Sequence, residues 1–234
     1  MAVPAEPSKV SKVAITIDHA FVVRFVHALD ERLTDAETYL TELDAAIGDA
    51  DHGTNMTRGL HAAVIDLEAA PDRGVAAGFA GVGRSLIRAI GGASGPLYGT
   101  VFATLGRTLP QDGAVDARAF AAGLREALHA VQRLGAAVVG DKTMVDAIAP
   151  GVTELERRLG HGDDLAAALD AATRAARGGA KATTPLRARK GRASYLGVRS
   201  EGHQDPGASS SALVFDALHA AATSPGTAAD PLLP

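Results

Sequence analysis

Apolar residues repeat with helical spacing along most of this sequence. Phe21, Phe25 and Leu29 recur at every fourth position, and Val22 and Val26 lie beside them, which predicts one apolar stripe along a helix. The sequence contains no convincing run of alternating strand residues. Aromatic residues make up only 4% of the 234 residues, so we expect a core built from Ala, Leu, Val and Ile in close-packed helices. The predicted fold class is all-α.

Turn residues divide this pattern into successive helices. The segment Thr34–Glu37 is typical of a capping box and predicts the start of a second helix, which should stop near Gly48. Residues 1–15 and 224–234 are expected to be flexible tails, and residues 16–223 one helical domain. The further predicted helices cover residues 55–69, 75–90, 98–108, 116–134, 142–159, 163–180 and 208–222.

Composition excludes several classes of protein. The net charge is -4 and no long basic run occurs, so we expect no direct contact with nucleic acid. There is no cysteine, which excludes disulfides, thiolate metal sites and a cysteine nucleophile. The sequence shows neither the apolar core of a signal peptide nor a stretch long enough to span a membrane. These features predict a cytoplasmic protein with no membrane partner.

The first polar string is LDAAIGDADHGTN at residues 43–55. It places Asp44, Asp49 and Asp51 within eight positions, and Gly48 is expected to turn the chain so that the three carboxylates approach one another. Converging carboxylates repel unless a cation neutralises them, and hard oxygen ligands favour Mg²⁺ or Ca²⁺. The alternative is a solvated acidic turn in which Asp49 or Asp51 caps a helix.

The second string, GGASGPLYGT at residues 91–100, precedes a predicted helix. Glycines allow backbone N–H groups to approach an anion, and the N-terminus of a helix favours phosphate. The string lacks the ending of a Walker A loop, and no strand precedes it as in a dinucleotide fingerprint. Close packing of helices against a glycine-rich turn is the alternative explanation.

Two later strings are also polar connections between helices. In residues 140–146, Asp141 or Thr143 is expected to cap the next helix, and Met144 either belongs to the core or packs on a ligand ring. Residues 183–211 form a long connection with four basic residues between Arg187 and Arg192, read either as a solvated loop or as a phosphate clamp. Acidic, glycine-rich and basic strings at helix junctions together suggest a helical protein that binds a nucleotide or phosphate with Mg²⁺.

In this order, the strings resemble the nucleotide-binding L subunits of dihydroxyacetone kinases over residues 20–220. The resemblance implies a barrel of eight antiparallel helices, with the nucleotide held by connecting loops at one end. It implies that Asp44, Asp49 and Asp51 bind two Mg²⁺ ions. The residues it places around ADP or ATP are His52, Gly53, Thr54, Asn55, Ala93, Ser94, Gly135, Met144, Arg192, Asp205, Pro206 and Gly207.

The same resemblance implies half of a kinase. A separate K subunit would hold dihydroxyacetone, and a phosphohistidine carrier, the M subunit, would rephosphorylate bound ADP. The enzyme would be a phosphoenolpyruvate–glycerone phosphotransferase, active only with the K partner. His52, His203 and Arg192 are candidate catalytic residues, although no general base is assigned. Two alternatives remain open: an ATP-using two-subunit kinase for a related keto-sugar or polyol, and a nucleotide-loaded module that binds a transcription regulator.

Overall fold

The computed structural model describes residues 15–70, 72 and 74–224. Within these residues the chain is helical, apart from turns and one isolated bridge between Ile17 and Val115, which confirms the all-α prediction. The helices are α1 (His19–Asp35), α2 (Glu37–Ile47), α3 (His52–Ala69), α4 (Gly74–Ala89), α5 (Ser94–Thr108), α6 (Ala117–Gly135), α7 (Val145–Gly160), α8 (Leu165–Ala182), a 3₁₀ segment (Arg192–Ser200) and α9 (Pro206–Thr223).

The long helices surround one hydrophobic core. From α3 to α9 each helix packs on the next one in the chain, α9 returns to pack on α1, and α1 packs on α3. The short helix α2 packs mainly on α3 and has fewer contacts with α9. None of the helices in the described ranges has the length and apolar character needed to cross a lipid bilayer. The predicted tails, apart from Ile15 and Ser224, lie outside the described residues.

Phenylalanine contributes more to the core than the low aromatic content suggested. Five of the six phenylalanines form a connected cluster of rings with centroids 5.9–6.3 Å apart. They come from α1, α4, α5 and α6, so this cluster joins four helices across the centre of the molecule. Its members are Phe21, Phe25, Phe79, Phe102 and Phe120. The aliphatic core that we predicted is therefore organised around an aromatic centre.

Helix connections alternate between the two ends of the bundle. At one end, Val115 N donates to Ile17 O, and His19 lies 3.4 Å from Asp72, so the start of α1 meets the α3–α4 and α5–α6 connections. We call this the opposite end. The connections before α3, α5, α7 and α9 meet at the other end, which we call the site end. Because consecutive helices pack on one another, alternate connections along the chain lie at the same end of the bundle.

Some predicted boundaries were wrong. The expected capping box at Thr34–Glu37 does not form, because α1 continues to Asp35 and Ala36 stands at the N-cap of α2 without a side-chain hydrogen bond. The helix predicted from residue 142 begins at Val145. The connection after α8 is not an open loop, since it contains the 3₁₀ segment, and α9 begins at Pro206.

Candidate metal and nucleotide site

A cavity of about 360 Å³ opens at the site end. It is lined by residues from α2 and its exit, from the α4–α5, α6–α7 and α8–α9 connections, and from the starts of α3, α5 and α9. The predicted site residues on its wall are Asp44, Asp49, Asp51, His52, Ala93, Ser94, Gly135, Met144, Arg192, Asp205, Pro206 and Gly207. Segments far apart in the sequence therefore share one concave surface.

The three acidic residues of the first string lie on the rim of this cavity. One carboxylate oxygen from each of Asp44, Asp49 and Asp51 lies within 4.8 Å of the others. Gly48 makes this approach possible, because a Cβ atom there would overlap Asp44 Oδ1. Ala50 completes the turn with a positive φ of 61°. A strained backbone and a missing side chain thus bring three anionic groups together.

Hydrogen bonds show which oxygen of the buried carboxylate is already used. Asp44 Oδ2 accepts from the backbone N–H groups of Asp51 (2.9 Å) and His52 (3.2 Å) at the start of α3. Asp51, although it stands at the N-cap position, makes no side-chain cap hydrogen bond. The exposed Asp49 lies 3.1 Å from Arg192. The helix-cap alternative therefore does not hold for Asp51, and three oxygen donors in this arrangement fit a hard divalent cation.

His52 is buried next to this cluster. Its Nε2 lies 2.8 Å from Ser210 Oγ, and its Nδ1 lies 3.3 Å from Ser94 Oγ. Ser210 and Ser211 also hydrogen-bond to the hydroxyl of Tyr98. Burial lowers the pKa of His52, against the opposing effect of the nearby Asp44 and Asp51 charges. Burial raises the pKa of Tyr98 to about 12.

The glycine-rich string forms the entry to α5. Ala93 stands at the N-cap of α5. Its methyl group cannot accept a hydrogen bond, so no side-chain cap bond is made at this helix N-terminus. Gly92 has a φ of 64°, and Gly95 allows α5 to approach Ile90 O, which a Cβ atom would overlap. Gly95 is thus needed for close packing, which was one of the two alternatives, while Gly91 and Gly92 border the cavity.

The wall away from the acidic rim is apolar. It is formed by side chains from α5, α6 and α7 and by Gly135, where the backbone is bare. Met144 is only 5% exposed and belongs both to the hydrophobic core and to this wall. The apolar members of the wall are Leu97, Val131, Ala137, Met144 and Val145. An apolar wall suits a flat ring, and an acidic rim that holds a divalent cation suits an anionic end, because the cation would neutralise both sets of negative charges.

The start of α9 closes a third side. Asp205 is the N-cap of α9, where its Oδ2 accepts from Ala208 N at 2.7 Å. Burial raises the pKa of Asp205 to about 7, although the hydrogen bond from Ala208 and the charge of Lys142 act in the other direction. The carboxyl group of Asp205 is thus structural as well as part of the cavity wall.

Three residues assigned by the resemblance lie off the cavity. Gly53 is a packing position, since a Cβ atom there would overlap the backbone of Glu37. Thr54 Oγ1 donates to Glu37 Oε1 at 3.3 Å, and Asn55 Oδ1 accepts from Arg58 Nη2 at 2.5 Å. His203 does not line the cavity either, and its carbonyl accepts from Lys142.

Sequence reasoning overlooked several residues of the wall. Lys142 lies in the polar string at residues 140–146, but the interpretation of that string rested on the residues that could cap the next helix. Tyr98 was quoted only as part of the glycine-rich string, and Lys190 only as one of four basic residues. All three line the cavity. Their position inside strings of unusual composition was the signal that could have indicated a role in the site. The contacts that set them apart from other residues of those strings are long-range, so the sequence does not show them.

The family follows from comparison with known proteins. Residues 46–220 match the model of the DAK2 domain. The chain belongs to the DAK2 domain family. It is 38% identical over 207 residues to the ADP-binding subunit DhaL of PEP-dependent dihydroxyacetone kinase 1 from Listeria innocua, covering 87% of this chain and 97% of that subunit.

Two longer proteins also match this DAK2 domain. D-erythrulose kinase from Mycolicibacterium smegmatis is 41% identical over 194 residues, which are 82% of this chain but only 33% of that enzyme. The crystal structure of dihydroxyacetone kinase from C. freundii with AMP-PNP and Mg²⁺ superposes with a TM-score of 0.67 at 28% identity, covering 94% of this chain and 37% of that one. The same fold therefore occurs as a separate subunit and as part of larger kinases.

Proposed function

We propose that this chain is the ADP-binding subunit of a phosphoenolpyruvate-dependent dihydroxyacetone kinase. The proposal rests above all on the three convergent carboxylates, Asp44, Asp49 and Asp51, at the rim of a cavity with an apolar far wall. The match to DhaL over nearly the full length of that subunit supports it. The closed order of packing from α1 through α3 to α9 supports an eight-helix barrel, with α2 as an additional helix.

The donor set assigns roles to the residues of the rim. Asp44, Asp49 and Asp51 would hold two Mg²⁺ ions, which would neutralise the phosphate oxygens during phosphoryl transfer. Ser94 and the N-terminus of α5 would bind phosphate, with His52 held in place beside them by Ser210. Leu97, Val131 and Met144 would contact the base.

The remaining residues of the proposed nucleotide site complete the enclosure. Arg192 would face the phosphates once Asp49 is engaged by a cation. Gly135, Asp205, Pro206 and Gly207 would enclose the nucleotide from the α6 and α9 sides. Gly53, Thr54 and Asn55 would support the start of α3 from behind, since they lie off the cavity.

The proposed reaction requires partners. DhaL, which this chain matches over nearly its full length, is named as a separate ADP-binding subunit, so a K subunit would present dihydroxyacetone to the nucleotide. A phosphohistidine M subunit would return ADP to ATP, and the chain would act in the cytoplasm. Catalysis would depend on positioning and on charge neutralisation rather than on a general base of this chain.

The nucleotide content of the freshly purified protein tests this function. Stoichiometric ADP that survives dialysis in Mg²⁺ is the expected result, because a carrier protein would rephosphorylate a nucleotide that does not leave. Adding the K subunit, the carrier in its phosphohistidine form and dihydroxyacetone should then yield dihydroxyacetone phosphate, as the phosphoryl group passes from the carrier through the bound ADP to the triose. A protein that neither retains nor binds a nucleotide would contradict the proposal and favour a regulatory module that binds a transcription regulator.

One observation favours a second candidate. The chain is 41% identical to part of D-erythrulose kinase, a higher identity than to DhaL over a similar length. An L subunit of an ATP-dependent two-subunit kinase for a keto-sugar would have the same rim and wall. In that case the purified cavity should be empty and should exchange ATP freely in millimolar Mg²⁺.

A further inference from the structure

A lysine that forms no ion pair with a carboxylate of the described residues is buried between two connections at the site end. Lys142 is 1% exposed and has a positive φ of 64°. Its ammonium group donates to three backbone carbonyls, those of Thr183 (2.8 Å), Thr184 (3.5 Å) and His203. Burying an ammonium group is costly unless its hydrogen bonds are satisfied, and these carbonyls satisfy them. We therefore expect the hydrogen bonds of Lys142 to have a structural or functional role.

The three carbonyls mark the two ends of a single lobe. Thr183 and Thr184 precede residues 185–201, and His203 follows them. The ends are also joined directly, since Gly202 N donates to Thr184 O at 2.8 Å and Asp205 N donates to Thr183 Oγ1 at 2.9 Å. The ammonium group of Lys142 therefore bridges both sides of a narrow neck and ties it to the α6–α7 connection.

The lobe has little hydrophobic support of its own. Its buried apolar residues, Ala188 and Ala193, form a small cluster with Ile47 that is separate from the main core. The partly buried Leu196 packs on that cluster. The polar attachments are Arg189 N to Asp141 O at 3.1 Å, the Arg189 guanidinium to the Asp141 carboxylate at 3.9 Å and Arg192 to Asp49 at 3.1 Å. Tyr195 is 89% exposed. A segment with so few buried apolar contacts opens locally at low free energy, so the neck decides how firmly it is held.

This lobe carries Lys190, Gly191 and Arg192 to the cavity. We propose that Lys142 is a positioning residue that clasps the neck of the lobe and thereby sets how long a nucleotide stays bound. That the retained ligand is a nucleotide rests on the proposed function. The attachment of the lobe by Lys142 does not depend on it. Lys142 acts through the lobe, because its ammonium group is engaged by the three carbonyls.

The experiment compares Lys142→Met, Lys142→Arg and the control Lys181→Met, which alters an exposed lysine near the end of α8. The first measurement is limited trypsin digestion of the nucleotide-free protein, with the cut sites identified by mass. Cleavage after Arg187, Arg189, Lys190, Arg192 or Arg199 reports on the lobe. We expect it to be about tenfold faster in Lys142→Met, the change that follows from losing a charge-assisted hydrogen bond, and unchanged in the control.

The second measurement is the release of a fluorescent ADP analogue in Mg²⁺. We expect release to be about tenfold faster in Lys142→Met and intermediate in Lys142→Arg, which keeps the charge but changes its shape. Lobe cleavage and release at wild-type rates in Lys142→Met would overturn the proposal, as would faster cleavage spread evenly over the chain. If Lys142→Met does not fold, Lys142→Arg decides in the same way. A wild-type protein that binds no ADP would contradict the proposed function, while the digestion would still test the clasp.

Discussion

The two ends of the helical bundle both present aspartates at helix starts, but the site end uses one of its two differently, since Asp205 caps α9 whereas Asp51 does not cap α3. At the opposite end, Asp18, Asp116 and Asp164 accept backbone N–H groups in the first turns of α1, α6 and α8. At the site end, Asp51 stands at the N-cap of α3 without a cap bond, while Asp44 accepts the N–H groups of Asp51 and His52 at the start of that helix. A carboxylate that caps a helix is thus structural, whereas Asp51, which makes no cap bond, is available to a ligand.

The backbone of the site end reinforces this contrast. Ala50, Ala136 and Lys142, the three non-glycine residues with positive φ among those described, all lie in connections at the site end. Strain of this kind persists only where surrounding contacts hold it, and it is concentrated at functional positions. The opposite end reaches its turns with aspartate caps and with glycines such as Gly74 and Gly113. The strained end is the one with the cavity.

The largest effect is expected from removing a carboxylate of the acidic rim, Asp49, whose contact with Arg192 is an exposed ion pair. Asp49→Asn should weaken Mg²⁺-dependent retention of ADP by about 100-fold or more, since altering even outer-sphere partners of a metal costs about 10–100-fold. Equilibrium dialysis with ADP measures it. The matched control is Asp116→Asn at the opposite end, which should bind as the wild type does. Equal retention in both variants would sink the metal assignment.

A smaller effect should separate the two uses of glycine at the site end. Gly95→Ala should lower the free energy of unfolding by about 1–3 kcal/mol, because its Cβ atom would overlap Ile90 O in a packed interface. Gly91→Ala is the control, since nothing lies within 4 Å of its Cβ position. Urea unfolding followed by circular dichroism measures both. Equal stability of the two variants would show that the interface at Gly95 adjusts without cost.

The smallest effect concerns the caps themselves. Asp116→Ala should cost about 1 kcal/mol of stability, since Asp116 Oδ1 accepts from Arg118 N (2.8 Å) and Ala119 N (2.9 Å). Asp51→Ala should cost none in the absence of Mg²⁺, because it removes no cap and relieves repulsion within the acidic cluster. Thermal unfolding of both variants in a chelating buffer tests the contrast. A greater loss in Asp51→Ala would mean that Asp51 supports the fold.

Much of the site could be read from the sequence because its residues occur in compact strings. Asp44, Asp49 and Asp51 are seven positions apart at most, so one turn at Gly48 is enough to bring them together. Gly53, Thr54 and Asn55 belong to the same string but turn away from the cavity, because α3 begins at His52 and rotates successive side chains around its axis. Membership of a string therefore indicates that a residue lies near the cavity, but not whether its side chain faces the cavity.

The sequence by itself determined the helical class, the succession of helices and the positions of the polar connections, because helical periodicity and turn residues are local properties. The tertiary structure decided which connections meet and that Lys142 holds a neck 41 residues or more further along the chain. These contacts join residues whose spacing has no period, so only the packing of helices around a shared core could bring them together.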